Sequence, residues 1–398
     1  MSLKIKMNTD KNYQICNVCI MDTTDPEITF DPSGQCNHCK SYEQWHTSHT
    51  NQPLSLKERE QQMVNRIKSD GKGKDYDCIM GISGGVDSSY LAYYATQVLG
   101  LRVMAVHVDA GWNSELAVNN IENLVTNLNI DLHTIVIDWE EIRDLQRSFF
   151  KASVPNVDTP QDHAFFAAMY KEAVKFKHKH VLNGGNMATE SILPTYWGYD
   201  AMDKIHIKDI HKKFGEAKIK KYPTLGPFES LVWFPYYHGF EVHRPLELIN
   251  YSKDAAKDYL IKNSGWRDYG GKHYESKFTQ FFQAHYLPEK FGFDKRRAHL
   301  ASLVASKQMT RDEAMSEMKK PLYNAKDLEI DREYVIKKLG FSNTEWEAIM
   351  NMKAKTEHDY KNQLVIARRI RVLIRIFGFG VSMAKYPFRK LKMLFKKK

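Results

Sequence analysis

The sequence predicts an α/β fold in which a parallel β-sheet is covered by helices on both faces. Apolar runs typical of buried strands recur through the first 250 residues, and segments of helix length separate most of them. These runs cover residues 76–82, 102–108, 132–138, 179–183 and about 242–248. Strands that alternate with helices pair in parallel. In such sheets ligands bind beyond the carboxyl ends of the strands, where the strand order reverses.

Four regions are expected along the 398 residues, of which 42% are hydrophobic, enough for two or three folded domains. They are a cysteine-rich ribbon (1–55), the sheet domain (56–250) with an insertion at about 191–240, a helical region for substrate or partner binding (251–363) and a basic tail (364–398). No apolar run reaches the roughly 18 residues of a membrane helix, and the first residues lack a signal-peptide pattern. We therefore expect a cytoplasmic protein.

Four of the five cysteines form two pairs, Cys16 with Cys19 and Cys36 with Cys39, with sixteen residues between the pairs. Each pair places two sulfurs on one side of a tight turn, and two such turns supply the four thiolates of a tetrahedral zinc site. Disulfide bonds are the alternative, but the missing secretion signal favours a reducing compartment. Four thiolates fill the zinc shell and leave no position for water, so the expected role is structural.

A glycine-rich segment, SGGVDSS (83–89), lies between the first predicted strand and a helix-like stretch that begins at Tyr90. Adjacent glycines let the backbone approach a ligand closely, and the N–H groups of the following helical turn point at an anion. Ser88 and Ser89 add hydroxyl donors, and Asp87 can orient a metal or cap the helix. The segment lacks the spacer and Gly-Lys pair of a Walker A loop. A turn without a ligand is the alternative, but the order strand, loop, helix favours a phosphate-binding loop.

Polar clusters also follow the next three predicted strands. Asp109 lies in the first cluster, HVDAGWN (107–113), Asp138 ends the third strand, and the fourth ends in NGGN (183–186). Each cluster alone is weak evidence, because Asn and Gly are ordinary turn residues and Asp109 can cap a helix. Their coincidence at one edge of the sheet predicts a binding site.

Three further segments are unusual in composition. The insertion at 191–240 is rich in aromatic residues and lysine, which is typical of a lid or substrate loop, although a structural arm is the alternative. WRDYGGKHYESKFT (266–279) and FDKRRAH (293–299) concentrate cations that can meet a phosphate or carboxylate. A solvated charged face is the alternative for these two.

The formal charge of +10 is confined to the tail. Residues 364–398 hold eleven Lys or Arg and no acid, which leaves 47 basic and 48 acidic residues in the rest of the chain. The neutral body therefore gives no reason to expect nucleic-acid binding. In the tail, an apolar helical face is predicted opposite a basic one. The apolar face comprises Ile366, Ile370, Leu373, Ile374 and Phe377, and the basic face Arg368, Arg371 and Arg375. Peripheral contact with the inner face of an anionic membrane, docking on a partner subunit and packing on the C-terminal region all stay open.

The ribbon, SGGVDSS, NGGNMATE (183–190) and YGGKHYESKFT (269–279) together resemble the N-acetyl sugar amidotransferase family, from about residue 16 to about 320. That family belongs to the pyrophosphate-loop ATP pyrophosphatase superfamily and acts in the biosynthesis of bacterial surface polysaccharides such as the LPS O-antigen. The resemblance implies a Rossmann-like sheet of the adenine nucleotide alpha-hydrolase type. The loop alone identifies only the superfamily, and residues 269–279 are the family-specific part.

The resemblance also implies residue roles. ATP binding is implied for Ser83, Gly84, Gly85, Asp87, Ser88, Ser89, Asp109, Gly184 and Asn186. Catalytic roles are implied for Asp87, Glu190, Lys272 and His273, and substrate binding for Asp162, His163, Gly271, Glu275, Ser276 and Arg296. Mg²⁺ is expected near Asp87 and structural Zn²⁺ on the four paired cysteines. The candidates for the general base are Asp162, His163, Glu190, Lys272, His273 and Glu275.

The implied reaction converts an acetamido group of a nucleotide-activated sugar into an acetamidino group. The amide oxygen attacks the α-phosphorus of ATP, and ammonia then displaces AMP. A glutaminase needs an activated cysteine, but Met1 is followed by Ser2, and Cys78 lies in an apolar strand. Ammonia is therefore expected from a separate glutaminase subunit, paired with a barrel subunit related to the histidine-biosynthesis synthase. UDP and CMP carriers both stay open.

Two other functions are consistent with part of the sequence. A tRNA-thiolating pyrophosphate-loop enzyme can share the ribbon and the adenylation step, but such enzymes commonly need cysteines near ATP, and none follows Cys78. A noncatalytic scaffold can use a ribbon and a basic tail, although the complete phosphate loop argues against it.

Overall fold

The computed structural model describes residues 13–270 and 275–376. Its strands are β1 (Cys78–Gly81), β2 (Val103–Asp109), β3 (Asp131–Val136), β4 (His180–Leu182) and β5 (Glu241–His243). Its helices are α1 (Asn37–Thr50), α2 (Leu56–Asp70), α3 (Val86–Tyr93), α4 (Glu115–Leu128), α5 (Trp139–Lys151), α6 (Thr159–Lys175), α7 (Met187–Glu190), α8 (Lys204–Phe214), α9 (Lys253–Ser264), α10 (Lys277–Phe281), α11 (Leu287–Phe291), α12 (Arg296–Ala305), α13 (Arg311–Met318), α14 (Ala325–Leu339), α15 (Asn343–Asn351) and α16 (Leu364–Ile376).

The five strands form one parallel sheet in the order β3-β2-β1-β4-β5. This confirms the predicted α/β class, with strands somewhat shorter than the apolar runs that predicted them. The chain builds outward from β1 through β2 to β3, then returns to the other side of β1 for β4 and β5. The strand order therefore reverses between β1 and β4, and a ligand site is expected beyond their carboxyl ends.

Hydrophobic layers cover both faces of the sheet. Alternate residues of β1 and β2 point to opposite faces, so that Ile79 and Met104 join one apolar cluster while Met80 and Ala105 join the other. The first cluster contains residues of α5 and α6, and the second contains residues of α2, α3, α4 and α9. β3 lies at the edge of the sheet, where Val136 is 73% exposed.

The cysteine-rich ribbon packs on the distant C-terminal helices. Two antiparallel bridges, Ile15 with Asp22 and Phe30 with Cys36, flank the two cysteine turns, and the Cys36 N–H donates to Cys16 Sγ across them. Arg297 pairs with Asp22 at 3.0 Å and donates to the carbonyl of Ile20 at 2.6 Å. Arg311 donates from Nε to the carbonyls of Cys16 and Cys19. The ribbon is therefore joined by hydrogen bonds to α12 and α13.

The insertion and the tail differ in detail from their predicted patterns. The insertion contains α8 and a π-helical turn (Glu229–Tyr237). In α16, Ala367 is buried, while Ile366 and Leu373 are 44% and 51% exposed. The predicted apolar face is therefore rotated, and Phe377 lies outside the described residues. Within residues 13–270 and 275–376, none of the helices combines the length and the apolar composition that a membrane crossing requires.

Candidate active site

A cavity of about 530 Å³ opens at the predicted place, beyond the carboxyl ends of β1 and β4. The loop after β1 and the turn after β4 line one wall. The start of α6 and residues 275–295 line a second wall. We call these the loop wall and the far wall.

The loop wall is built around the backbone of residues 83–88. Gly85 ends the loop in an extended conformation and α3 begins at Val86, so the first N–H groups of α3 face the cavity. The hydroxyl of Ser83 lies 3.2 Å from that of Ser88, and Ser88 donates to the carbonyl of Gly85 at 3.1 Å. The loop therefore presents hydroxyl groups and N–H donors at a helix start, which is suited to a phosphate group.

Gly84 turns the loop with a positive φ of 81°. A Cβ at this position would lie 2.9 Å from the Tyr269 hydroxyl and 3.1 Å from the Ala117 carbonyl, so no larger residue fits without a shift. The Gly84 carbonyl accepts hydrogen bonds from Trp266 Nε1 at 2.8 Å and from the Tyr269 hydroxyl at 2.9 Å. These two donors hold the carbonyl of the turn in place.

Asp87 connects the loop to the turn after β4. Its Oδ1 accepts a hydrogen bond from the Tyr251 hydroxyl at 2.6 Å and another from Asn186 Nδ2 at 3.4 Å. Burial and the Asp87 charge hold the pKa of Tyr251 well above its usual range, so Tyr251 remains a donor. A Cβ on Gly184 would approach the Asp87 backbone to 3.2 Å, which explains the glycine there. Asp87 and Glu190, which both line the cavity, are carboxylates suited to Mg²⁺.

An antiparallel bridge brings the segment after residue 274 to the sheet edge. Asn113 pairs with Ser276, and the Ser114 N–H donates to the Glu275 carbonyl at 2.9 Å. Glu275 and Ser276 therefore both line the cavity, and Glu275 Oε1 would lie 3.6 Å from a Cβ on Gly85 of the loop.

Two carboxyls and a lysine occupy the rest of the far wall. Asp158 precedes α6, Asp162 lies in its first turn, and Lys295 Nζ is 3.6 Å from Asp158 Oδ2. Desolvation, reinforced by the Asp158 charge and partly offset by Lys295, raises the pKa of Asp162 to about 8. A carboxyl with a pKa in this range can exchange a proton near neutral pH.

Several predicted site residues lie elsewhere among the described residues. Ser89 is fully buried within α3, and Asp109 accepts hydrogen bonds from the Gly111 N–H and the Asn113 amide outside the cavity lining. His163 bonds the Ala201 carbonyl and accepts from the Leu225 N–H, so it holds the insertion in place. Burial lowers the pKa of His163 to about 4, which keeps it neutral.

Arg296 pairs with Asp294 and also lies outside the lining. Gly271, Lys272 and His273 lie outside the described residues.

Sequence reasoning missed several residues that the structure brings to the site. Tyr251 and Trp266 support the loop from a region more than 160 residues away, at separations of 164 and 182 residues. Asp158 comes from a different domain in sequence than Lys295, and no motif marks it, whereas Lys295 belongs to the basic segment 293–299 that was expected to meet a phosphate or carboxylate. The one available signal was the density of polar residues in 266–279 and 293–299.

The four paired cysteines form a second site, remote in sequence from the cavity. All four are buried, and their Sγ atoms lie 3.7–3.9 Å apart in the Cys16–Cys39, Cys19–Cys36 and Cys36–Cys39 pairs. Tetrahedral zinc with Zn–S bonds of about 2.3 Å requires sulfurs roughly 3.8 Å apart. The N–H groups of Val18, Met21 and Cys36 donate to these sulfurs, which stabilises thiolates. The cluster thus fits zinc, and these distances exclude disulfides between the measured pairs.

Two family models match parts of the chain. Residues 56–222 match the model described as NAD synthase, and residues 275–372 match the one described as LPS biosynthesis protein WbpG-like, C-terminal domain. The GMP synthase (glutamine-hydrolyzing) of Thermosipho africanus is 27% identical over 195 residues, covering 43% of this chain and 34% of that protein. This chain therefore spans about a third of that relative's length.

Solved structures of two synthetases are also similar. The NH3-dependent NAD synthetase of Campylobacter jejuni is 15% identical, with a TM-score of 0.34 and coverage of 65% of this chain and 97% of that one. The NMN synthetase of Francisella tularensis is 15% identical, with a TM-score of 0.30 and coverage of 76% and 98%.

The strand order, the loop at the switch point and the match to NAD synthase define a pyrophosphate-loop ATP pyrophosphatase domain. This chain joins that domain to the C-terminal domain of WbpG-like LPS biosynthesis proteins. The resemblance drawn from the sequence is confirmed at the level of these two domains, one matching NAD synthase and the other a WbpG-like LPS biosynthesis domain.

Proposed function

We propose that this protein is an ATP-dependent carbon–nitrogen ligase that converts the acetamido group of a nucleotide-activated sugar into an acetamidino group, for LPS O-antigen or another surface glycan. One observation carries the proposal. A single cavity is lined by the SGGVDSS loop of the NAD synthase-like domain and by Glu275, Ser276, Thr279, Gln283 and Lys295 of the WbpG-like domain. A phosphate-binding loop that shares one cavity with residues of an LPS biosynthesis domain supports the adenylation of a sugar.

The chemistry follows from the poor reactivity of an amide. The amide oxygen attacks the α-phosphorus of ATP, the bond to the β-phosphate oxygen breaks, and pyrophosphate leaves. Ammonia then adds to the imidate carbon, and AMP departs with the former amide oxygen. Ser83, Ser88 and the N–H groups at the start of α3 hold the phosphates, where fixed donors stabilise the charge that develops on pyrophosphate. Mg²⁺ held near Asp87 would add charge neutralisation to the same step.

Ammonia would come from outside this chain. All five cysteines lie within the described residues, and four of them form the cluster. Burial raises the pKa of the fifth, Cys78 in β1, so its thiol is not activated as a nucleophile. This supports a separate glutaminase subunit, and the barrel subunit related to the histidine-biosynthesis synthase is proposed from the family resemblance alone. It also disfavours tRNA thiolation, which would need a reactive cysteine near ATP.

The test is a product assay on the purified full chain with ATP, Mg²⁺, ammonium and a panel of UDP- and CMP-linked acetamido sugars. AMP and pyrophosphate should appear only with a particular sugar, and a heavy-oxygen label in its amide should be recovered in AMP. Glutamine should not replace ammonium unless a glutaminase subunit is added. Label that stays in the sugar while AMP forms would refute the mechanism.

A further inference from the structure

Once Asp162 is ionised, the far wall carries more negative charge than its lysine can balance. Asp158 and Asp162 are four residues apart, about one helical turn, so their side chains share a face at the start of α6. Lys295 is the cation that interacts with this pair, and its Nζ lies 3.6 Å from Asp158 Oδ2. When both carboxyls are ionised, one negative charge remains beside the cavity.

The side-chain oxygen of a buried amide next to this pair also lacks a partner. The Gln161 side chain is only 5% exposed and lines the cavity, and its Oε1 has no hydrogen-bond donor within the protein. Buried polar atoms are nearly always paired, so an orphaned oxygen at a cavity wall indicates a donor that arrives with a ligand.

The excess negative charge of the two carboxyls and the unpaired oxygen of Gln161 together define the chemical class of the ligand. A neutral sugar hydroxyl would leave the second carboxylate charge unbalanced. Mg²⁺ demands octahedral oxygen coordination and would stand next to the Lys295 ammonium group. A monovalent cation that carries N–H donors satisfies both the single excess charge and the orphaned oxygen.

We propose that Asp158, Gln161 and Asp162 form the ammonium-binding subsite of the reaction. The inference rests on the proposed function, because it names the place from which the nitrogen nucleophile attacks. Asp158 and Gln161 position the cation, and Asp162 removes one proton from it to give ammonia. Ammonia forms the new C–N bond, the C–O bond to AMP breaks with its electron pair on AMP, and the nitrogen releases a second proton to water.

Rubidium, a heavy monovalent cation of similar size to ammonium, tests binding directly. Crystals of the full chain soaked in rubidium chloride should show an anomalous peak in contact with Asp158, Gln161 and Asp162, and added ammonium chloride should weaken it. The peak should vanish in Asp162→Asn and persist in Asp327→Asn, an exposed control on α14. A missing peak in the wild type, an unchanged peak in Asp162→Asn, or a sugar hydroxyl at this position in a sugar complex would overturn the subsite.

Kinetics separates this inference from the proposed function. Exchange of labelled pyrophosphate into ATP requires the sugar but not ammonium. We expect Asp162→Asn to raise the KM for ammonium at least 10-fold and to reduce exchange far less. If no acetamido sugar supports exchange in the wild type, the proposed function fails while the rubidium result still decides the subsite. Normal exchange with an unchanged KM in Asp162→Asn would overturn the subsite alone.

The pH profile adds a signature that a structural role would not produce. Asp158, Lys295 and Tyr222 are the charged or titratable groups acting on Asp162. Because the pKa of Asp162 is about 8, the KM for ammonium should fall as pH rises through this value. Asp162→Asn should show a shallower fall, the part that comes from the rising fraction of free ammonia, and a variant with the full wild-type slope would contradict the role of Asp162.

Discussion

The two walls of the cavity differ in the kind of polar group that they present. The loop wall is fixed by backbone geometry and by neutral donors, with Trp266 and Tyr269 on one carbonyl and Tyr251 on Asp87. The far wall contains ionisable side chains and an amide oxygen that has no donor within the protein. A wall that must hold a triphosphate needs fixed donors, whereas a wall that must exchange a proton needs a carboxyl whose pKa can be tuned. The comparison therefore predicts different sensitivities to mutation.

The largest loss of activity is expected at Gly84, where the loop wall leaves no space for a side chain. Gly84→Ala adds a Cβ at a positive φ and brings it within 2.9 Å of the Tyr269 hydroxyl, so sugar-dependent AMP release should fall roughly 100-fold or more. Gly73→Ala is the matched control, since Gly73 has a φ of 76° with no atom within 4 Å of the added Cβ. Its activity should be normal, with unfolding about 1 kcal/mol easier. Equal losses of activity in both variants would mean that the strain of a positive φ causes the loss and that the contact with Tyr269 does not.

Asp87→Asn should rank second. It keeps the size of the side chain but removes the charge that Tyr251 and Asn186 hold in place, so kcat should fall roughly 100-fold with little change in Tm. Asp109→Asn, outside the cavity lining, should lower kcat only a few-fold. A larger loss at Asp109 would favour the ATP-binding role that the sequence predicts for it.

Tyr251→Phe tests the support of the loop wall from afar. It removes one hydrogen bond to a carboxylate, which is worth about 1.5–3 kcal/mol, so kcat/KM for ATP should fall about 10-fold. Tyr323→Phe removes a comparable bond to Asp331 away from the cavity and should change Tm but not kcat/KM. Similar kinetics for the two variants would show that the bond to Asp87 does not position it.

The smallest effect concerns the stability of the far wall. The pKa of Asp162 is about 8 in the folded chain and about 4 when unfolded, so the folded state holds a proton that the unfolded state releases. The free energy of unfolding should therefore fall as pH rises between these values. Asp162→Asn should remove this part of the slope and raise Tm by about 2–4 °C at pH 8. Thermal unfolding at several pH values measures it, and parallel curves for both proteins would contradict the raised pKa.

The sequence predicted the loop wall better than the far wall for a physical reason. Residues 83–89 form one contiguous motif whose conformation depends on its own glycines and the following helix. The far wall joins Asp158 to Lys295, and only the packing of two domains brings them together. His163 shows the converse, because the family resemblance implied a substrate role for it while both its nitrogens bond the insertion.

Strand positions were also predictable, because buried apolar runs are a local property. The orientation of α16 was not, since helical periodicity predicts that one face is apolar but not which residues meet the body. Ala367, too small to dominate the pattern, is the buried residue there.

The link between the ribbon and the C-terminal helices sets the order in which the chain can fold. Arg297 and Ile20 are 277 residues apart, and Arg311 and Cys16 are 295 apart. During synthesis the ribbon can bind its metal early but cannot dock until three quarters of the chain has left the ribosome. Docking then completes a contact of very high sequence separation, which is a slow class of folding step. The ribbon therefore docks on the C-terminal helices late in folding. A chain truncated before these helices would leave the docking face of the ribbon exposed to other partners.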